Sequence, residues 1–315
     1  MPGNELMNGL VSRPMFHVLT TICICMFVCL HAAAASCQLR VGTFNIRCIN
    51  MGDKGARSWG DRREGLADYA KKLKCDVIGF QEVTPKQLDF LKSRMSDYAF
   101  VATFRERNRK SGEASPVAYR RSRFDLEDSG TFWLSSTPDT PGSRSWKTSL
   151  PRICTYAILK EKRSGRRICF ANTHPDHKSA DARVKGMEVI AARIEKVRKG
   201  ASVVLVGDHN CTDNDRPAVF LRKHYDDAMF VSRTKPKGPW RSFTGWGKRD
   251  KELPAAAALK MQPGERDKAG GSRIDYIYVS RGVYVSSYET FAQKRKGTDE
   301  YFSDHQPVVA DITVR

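Results

Sequence analysis

From residue 37 onward the chain repeats one arrangement: a short apolar run of extended character that meets an acid, an amide or a histidine at one end. "LRVGTFN" ends on Asn45, and "DVIGFQEV" carries Gln81 and Glu82. "NTHPDH" (172–177) and "GDHN" (207–210) close two more runs, "RIDY" (273–276) opens one, and "SDH" (303–305) precedes "PVVADITV". A strand disfavours such groups, because an amide or carboxylate taken out of water must find partners. Any one could be a turn residue or a satisfied buried polar group. Six together require a fold that gathers strand ends in one place.

Between these runs lie helical patterns. Leu66, Tyr69, Ala70 and Leu73 share a face in 62–75. Thr84 caps a helix over 85–95 that begins with Pro85. Val184, Met187, Ile190, Ala191 and Ile194 line one side of 180–199. Further strands are predicted at 97–104, 116–121, 130–134, 153–160, 167–174 and 282–289. Neither a linker nor a repeat divides the chain, so a layered α/β or α+β fold is expected. Residues 232–272 lack periodicity and read as a long surface loop, with "PAAAALKM" as a short helix within it.

Lys and Arg number 54 against 35 Asp and Glu, a net charge of +19. That excess points to an anionic partner: nucleic acid, a phosphorylated small molecule or an acidic membrane. Residues 1–36 read as a cleaved signal peptide: Arg13, then "MFHVLTTICICMFVCL", then "HAAAAS". The apolar run is short of the roughly 20 residues a membrane span needs. The protein is therefore expected outside the cytoplasm, periplasmic or secreted, with a lipid anchor at Cys37 as the alternative. Of nine cysteines, six follow residue 36. They show no metal-binding spacing. In the hairpin turning near Ser164 and Gly165, Cys154 faces a position near 175 rather than Cys169, so buried free thiols are expected.

The ordered set Asn45, Gln81-Glu82, Asn172-Thr173-His174, Asp208/Asn210, Asp275-Tyr276 and Ser303-Asp304-His305 resembles the endonuclease/exonuclease/phosphatase superfamily. It is most similar to a bacterial secreted branch, distantly deadenylase-like, which shares stretches like "SGTFWLS" and "PRICTYA". The resemblance covers about 38–314. It implies a four-layer sandwich, two mixed β-sheets face to face with helices on both outer sides, as one domain over 37–315. It also implies a phosphoesterase dependent on Mg²⁺ or Mn²⁺, since phosphoryl oxygens need charge neutralised by a hard cation and the attacking water must be aimed.

Within that resemblance Glu82 is the principal metal ligand, with Asn45 and Asp304 supporting it. Asp208 and Asn210, two apart on one strand, orient and deprotonate the water. His305 is the acid/base partner, its tautomer fixed by Asp275. His174 donates to a phosphoryl oxygen, and Arg152, His177 and Arg183 contact the substrate phosphate. His209, between Asp208 and Asn210, is expected to face the layer beneath as a packing residue. Arg105, Arg107, Arg109 and Lys110 give the site a basic rim. Trp240, Phe243 and Trp246 either stack on bases or anchor their loop.

Nucleic acid is the leading substrate on these grounds, cleaved by a nuclease or exonuclease-like phosphodiesterase. The alternatives are small phosphomonoesters, sugar or inositol phosphates, and an inactive polyanion-binding protein. No stable protein partner is implied, and a monomer is expected.

Overall fold

The computed structural model describes residues 36–247 and 252–315, so the expected leader lies outside the described residues but for Ser36. Among the described residues, twelve strands form two six-stranded mixed sheets. The first has the order β11 (Tyr284–Thr290), β12 (Val308–Val314), β1 (Cys37–Asn45), β2 (Val77–Gln81), β4 (Val117–Arg120), β3 (Tyr98–Val101). The second runs β5 (Phe124–Trp133), β6 (Ile153–Glu161), β7 (Arg167–Thr173), β8 (Ser202–Asp208), β10 (Asp275–Val279), β9 (Asp226–Asp227).

Alternation along the strands divides the apolar residues into separate layers. Val41, Val77 and Val117 of the first sheet meet Leu159, Phe170, Val204 and Ile277 of the second in the central core. On the first sheet's outer face, Leu66 and Leu73 near α1 (Trp59–Lys72) and Leu88 and Leu91 of α2 (Pro85–Arg94) pack over Phe44, Ile78 and Phe80. On the second sheet's outer face, Met187, Ile190 and Ile194 of α3 (Ala180–Val197) and Leu221 of α4 (Arg216–His224) cover Cys169, Val203 and Leu205. This is the expected four-layer sandwich.

Two glycines let the sheets and strands meet beneath the polar strand ends. A Cβ on Gly79 would lie 2.6 Å from both Asn172 Cγ and Val206 Cγ2, and one on Gly207 would collide with the Thr173 carbonyl. Into the space at Gly79 reaches Asn172. Its Nδ2 donates to the carbonyls of Phe80 and Pro116, both at 2.8 Å, and its Oδ1 accepts from Gln81 Nε2 at 2.6 Å. The amides of "QE" and "NTH" therefore tie one sheet to the other.

The sequence reading departs from the structure in four places. Strand β5 begins at Phe124 rather than 130, because its first half is solvent-facing and carries a bulge between Leu126 and Asp128. Helix α4 goes unread: it is only nine residues long and starts on a polar "DRP". The 232–272 loop packs inward through α6 (Ala255–Ala258) and α7 (Glu265–Gly270), and α5 (Ala228–Val231) precedes it. Cys154 pairs in register with Thr173, two residues from the expected place, and the six thiols from Cys37 onward are free.

Candidate active site

Strand pairing brings the polar ends together. Asn45 lies opposite Gln81 in the parallel β1–β2 pair, so Glu82 follows at the same edge, with φ +62°. Thr173 lies opposite Gly207, and Asp208 opposite Asp275, which places His174, Asp208 and Asp275 side by side. His305 arrives on the segment before β12, held where Ser303 Oγ donates to the Asn45 carbonyl at 2.8 Å. A left-handed backbone at a non-glycine residue such as Glu82 is a strain that packing must enforce, and such strain concentrates at working sites.

Asn45 points at two acids. Its Nδ2 donates to Glu82 Oε1 at 3.0 Å and Asp208 Oδ2 at 2.9 Å, while its Oδ1 accepts the Arg47 N–H at 2.9 Å. The amide thus presents nitrogen, not oxygen, to the carboxylates. It bridges the two acids, where a place at the metal or its shell of waters is the expectation. Glu82 Oε2 also accepts the Cys48 N–H at 2.9 Å. Burial pushes the Glu82 carboxyl up, but these hydrogen bonds and the His305 charge outweigh it and keep the group ionised.

Asp208 Oδ2 sits between two imidazoles, 3.4 Å from His174 Nε2 and 3.6 Å from His305 Nε2. Burial raises its affinity for a proton, the Asp275 charge adds to this, and His305 opposes it. His305 Nδ1 donates to Asp275 Oδ2 at 2.8 Å. Burial disfavours charge on that ring, yet Asp275 and Asp208 prevail and hold it protonated. His174 is driven the other way, by burial and by the Arg152 charge, and stays neutral.

Glu82, Asp208 and His305 offer three ligand atoms all within 4.8 Å of one another. Two carboxylates facing one small space, Asp208 buried and Glu82 half-buried, are an anionic concentration that a divalent cation would relieve. Oxygen donors suit a hard ion. The residues therefore fit a divalent metal. Asp304, expected as a ligand, instead pairs through Oδ2 with Arg47 Nη1 at 3.1 Å and lies outside that trio.

A cavity of about 360 Å³ opens over these groups, walled by Arg47, Arg105, Glu113, Arg152, His177, Asn210 and Phe243 among others. Arg152 Nη2 lies 2.8 Å from His177 Nδ1, which accepts. Burial, and then the Arg152 charge, lower the affinity of His177 for a proton. Asn210 has left the strand, since β8 ends at Asp208 and Asn210 has φ +50°. Its N–H donates to Asp208 Oδ1 at 3.0 Å and its Nδ2 to the Pro175 carbonyl at 3.2 Å. Alternation along a strand is thus not what brings it to the cavity. Arg183 is not among the lining side chains. Its Nη1 donates to the Asp176 carbonyl at 2.9 Å and braces the 175–179 turn from behind.

Two arginines escape a reading of the sequence. Arg105 was grouped with a solvent-facing rim, but it is 7% exposed and bonds Glu113 through both terminal nitrogens, at 2.7 and 3.1 Å. Arg47, two residues past Asn45, reaches Asp53 and Asp304. Arg107, Arg109 and Lys110 are exposed. His209 is fully buried and stacks on Tyr276 and Tyr278, with centroids at 5.2 and 5.6 Å. Trp240 is fully buried and Trp246 is 9% exposed, so both anchor their loop, and only Phe243, at 37%, is open to solvent.

The model of the Endonuclease/Exonuclease/phosphatase family matches residues 42–305. The chain belongs to this family. Its members are phosphoester hydrolases that generally use divalent metals. A solved endonuclease/exonuclease/phosphatase from Bacteroides vulgatus is 28% identical with a TM-score of 0.78, spanning 89% of this chain and 100% of that one. A mannosyl-6-phosphatase from Bacteroides thetaiotaomicron is 27% identical with a TM-score of 0.75, over 87% and 99%. Human tyrosyl-DNA phosphodiesterase 2 is 22% identical over 174 residues, which is 55% of this chain and 43% of that protein. The chain spans less than half the length of the curated relatives it matches.

Proposed function

We propose that this family member is a metal-dependent phosphatase that removes a terminal phosphate from a small, polar, sugar-like substrate. The observation that carries this reading is the cavity wall. Two buried guanidiniums, Arg105 and Arg152, stand with Arg47 and two histidines around one space beside Glu82, Asp208 and His305. With a divalent cation against Glu82 and Asp208, these groups would neutralise a monoester dianion. The similar mannosyl-6-phosphatase adds to it. Stacking on bases is weakened as an argument, because two of its three candidate aromatics are buried.

Glu82 and Asp208 would hold the cation, Mg²⁺ or Mn²⁺, which when bound would neutralise phosphoryl oxygens and lower the barrier to attack. The rest is the work of this chain. Arg152 and Arg105 bind and orient the phosphate. Asp208, steadied by Asn45 and the Asn210 N–H, accepts a proton from the attacking water. The His305 imidazolium, fixed by Asp275, sets positive charge where negative charge builds, and neutral His174 donates from Nε2 to a phosphoryl oxygen.

A phosphodiesterase acting on nucleic acid is the second reading, favoured by exposed Arg107, Arg109 and Lys110 and by likeness to tyrosyl-DNA phosphodiesterase 2. One panel separates the two: mannose 6-phosphate, p-nitrophenyl phosphate, bis-p-nitrophenyl phosphate, single-stranded RNA and duplex DNA, each with metal and with chelator. Chelator-sensitive release of phosphate from monoesters alone supports the phosphatase. Faster cleavage of the diester or of nucleic acid overturns it.

Export is part of the same proposal. The thiol of Cys37 is buried in β1, opposite Val314, which favours release after cleavage over a lipid anchor. Among the described residues no helix is long and apolar enough to cross a membrane. Intact mass of protein from its own cell tests it: a start between residues 34 and 37 is expected, and an unprocessed Met1 form in the cytosol would refute it. A monomeric state is proposed on the same footing and is read by light scattering.

A further inference from the structure

We propose that a second cavity, beneath Trp146, is a saccharide subsite that receives sugar units beyond the phosphorylated one. The inference rests on the phosphatase reading and narrows its substrate to a phosphorylated oligosaccharide.

This cavity holds about 450 Å³ and is lined by Trp146, Asp181, Val184, Lys185, Glu188 and Arg216, with Ser179 and Lys147 at its edge. It shares a partition with the reaction cavity. Leu150 and His177 line the reaction side. Trp146, Lys147 and Ser179, from the same two segments, line the other. The partition is stitched together: Ser179 Oγ donates to the Trp146 carbonyl at 3.0 Å, and Ser149 donates to Asp176 Oδ1 through N at 3.1 Å and Oγ at 2.7 Å. A substrate whose phosphate sits by Arg152 has this cavity as its neighbour.

The chemistry of the lining selects the ligand. Lys185 Nζ lies 2.9 Å from Glu188 Oε2, and Arg216 Nη1 lies 3.6 Å from Asp181 Oδ1. The two cations are matched by two anions, and Lys147 is the one further charge. The lining is a mixture of donors and acceptors with little net charge, and its one arginine, Arg216, is exposed, whereas Arg105 and Arg152 are buried in the reaction cavity. It suits a neutral molecule rich in hydroxyls. A nucleic-acid strand would bring phosphates towards Asp181 and Glu188. The indole supplies the broad apolar face on which the C–H side of a sugar ring packs, and the charged groups supply strong hydrogen bonds to its hydroxyls.

The backbone adds a separate sign. Trp146 and Lys147 are consecutive non-glycine residues at φ +55° and +60°. A left-handed residue of this kind persists where surrounding structure enforces it. Trp146 lines the cavity from this segment.

Two measurements test the proposal. In the first, unphosphorylated mannobiose and a short single-stranded oligonucleotide are titrated into the parent, Trp146→Ala and Trp146→Phe, followed by tryptophan fluorescence and saturation-transfer NMR. The parent should bind mannobiose, Trp146→Ala should bind it at least about tenfold more weakly, and Trp146→Phe should fall between. In the second, kcat/KM is compared for phosphorylated mannobiose and mannose 6-phosphate. The parent should prefer the longer substrate, and that preference should shrink about tenfold in Trp146→Ala, through KM. A natively folded Trp146→Ala with an unchanged preference overturns the subsite. So does a parent that binds no mannobiose, or an oligonucleotide that binds at Trp146 in its place. Should the parent hydrolyse no sugar phosphate, the phosphatase reading falls, and the mannobiose titration still judges the cavity.

Discussion

His305 Nδ1 lies 2.8 Å from Asp275 Oδ2, and the two residues reach each other from segments thirty positions apart. The carboxylate fixes the ring so that Nε2 faces Asp208. Asp275→Asn keeps the shape but withdraws the charge that holds His305 protonated. Hydrolysis of p-nitrophenyl phosphate should fall at least about 100-fold, within the range of a positioned acid or base. Circular dichroism should stay native. A variant that folds and retains its rate would remove Asp275 from the proposed machinery.

Glu82→Gln is nearly isosteric. It should weaken Mg²⁺ or Mn²⁺ binding, read by calorimetry, and lower turnover at least about 100-fold, the scale of losing a principal electrostatic stabiliser. High metal concentration should restore part of the rate. Unchanged affinity would move the cation elsewhere.

Arg105 and its charged neighbours should separate into two behaviours. Arg105→Ala leaves the Glu113 carboxylate without its bidentate partner in a largely buried place, and should cost roughly 3 kcal/mol in urea unfolding as well as activity. Replacing Arg107, Arg109 and Lys110 by Gln should leave both nearly untouched. It should flatten the salt dependence of any oligonucleotide binding by about 0.7 to 0.9 log units per lost contact. Equal losses for both variants would contradict the assignment of Arg105 to the wall.

His209 offers a test by pH. Burial, with the Arg273 charge second, holds its pKa down to about 3 against an ordinary 6.5. Between those values the unfolded chain binds a proton that the folded chain refuses. The folded state therefore loses stability as pH falls below 6.5, by up to about 1.4 kcal/mol per unit. His209→Leu removes this component. Its urea midpoint should drop less than the parent's between about pH 7 and about pH 5, with most activity kept. Parallel curves would mean that His209 is not refused its proton.

The layers and the polar strand ends were legible because both are local patterns. Apolar spacing fixes which face of a strand or helix is buried, and a polar residue at the edge of an apolar run announces itself. Asn45, Glu82, His174, Asp208, Asp275 and His305 come together from such signals. What the sequence hid depends on tertiary direction. Arg105 stands in the same basic run as Arg107, Arg109 and Lys110, and nothing in "FRERNRKSGE" says that one of the four turns inward to meet Glu113. Asn210 was assigned to a strand that ends two residues earlier. The amide orientation of Asn45 depends on the N–H of Arg47, a left-handed residue that no propensity announces. The helix α4 is too short for its periodicity to stand out.

The register of β1 sets a condition on when this chemistry can exist. Cys37 pairs with Val314 and Thr43 with Val308, so the earliest described strand is enclosed only by one of the latest. His305, the partner of both Asp208 and Asp275, lies just before that closing strand. Contacts this distant in sequence make folding slow. A nascent chain still short of residue 305 holds the carboxylates without the imidazolium that faces them. The site is thus a latch between distant parts of the chain, complete only once β12 has closed on β1 and carried His305 to Asp208 and Asp275.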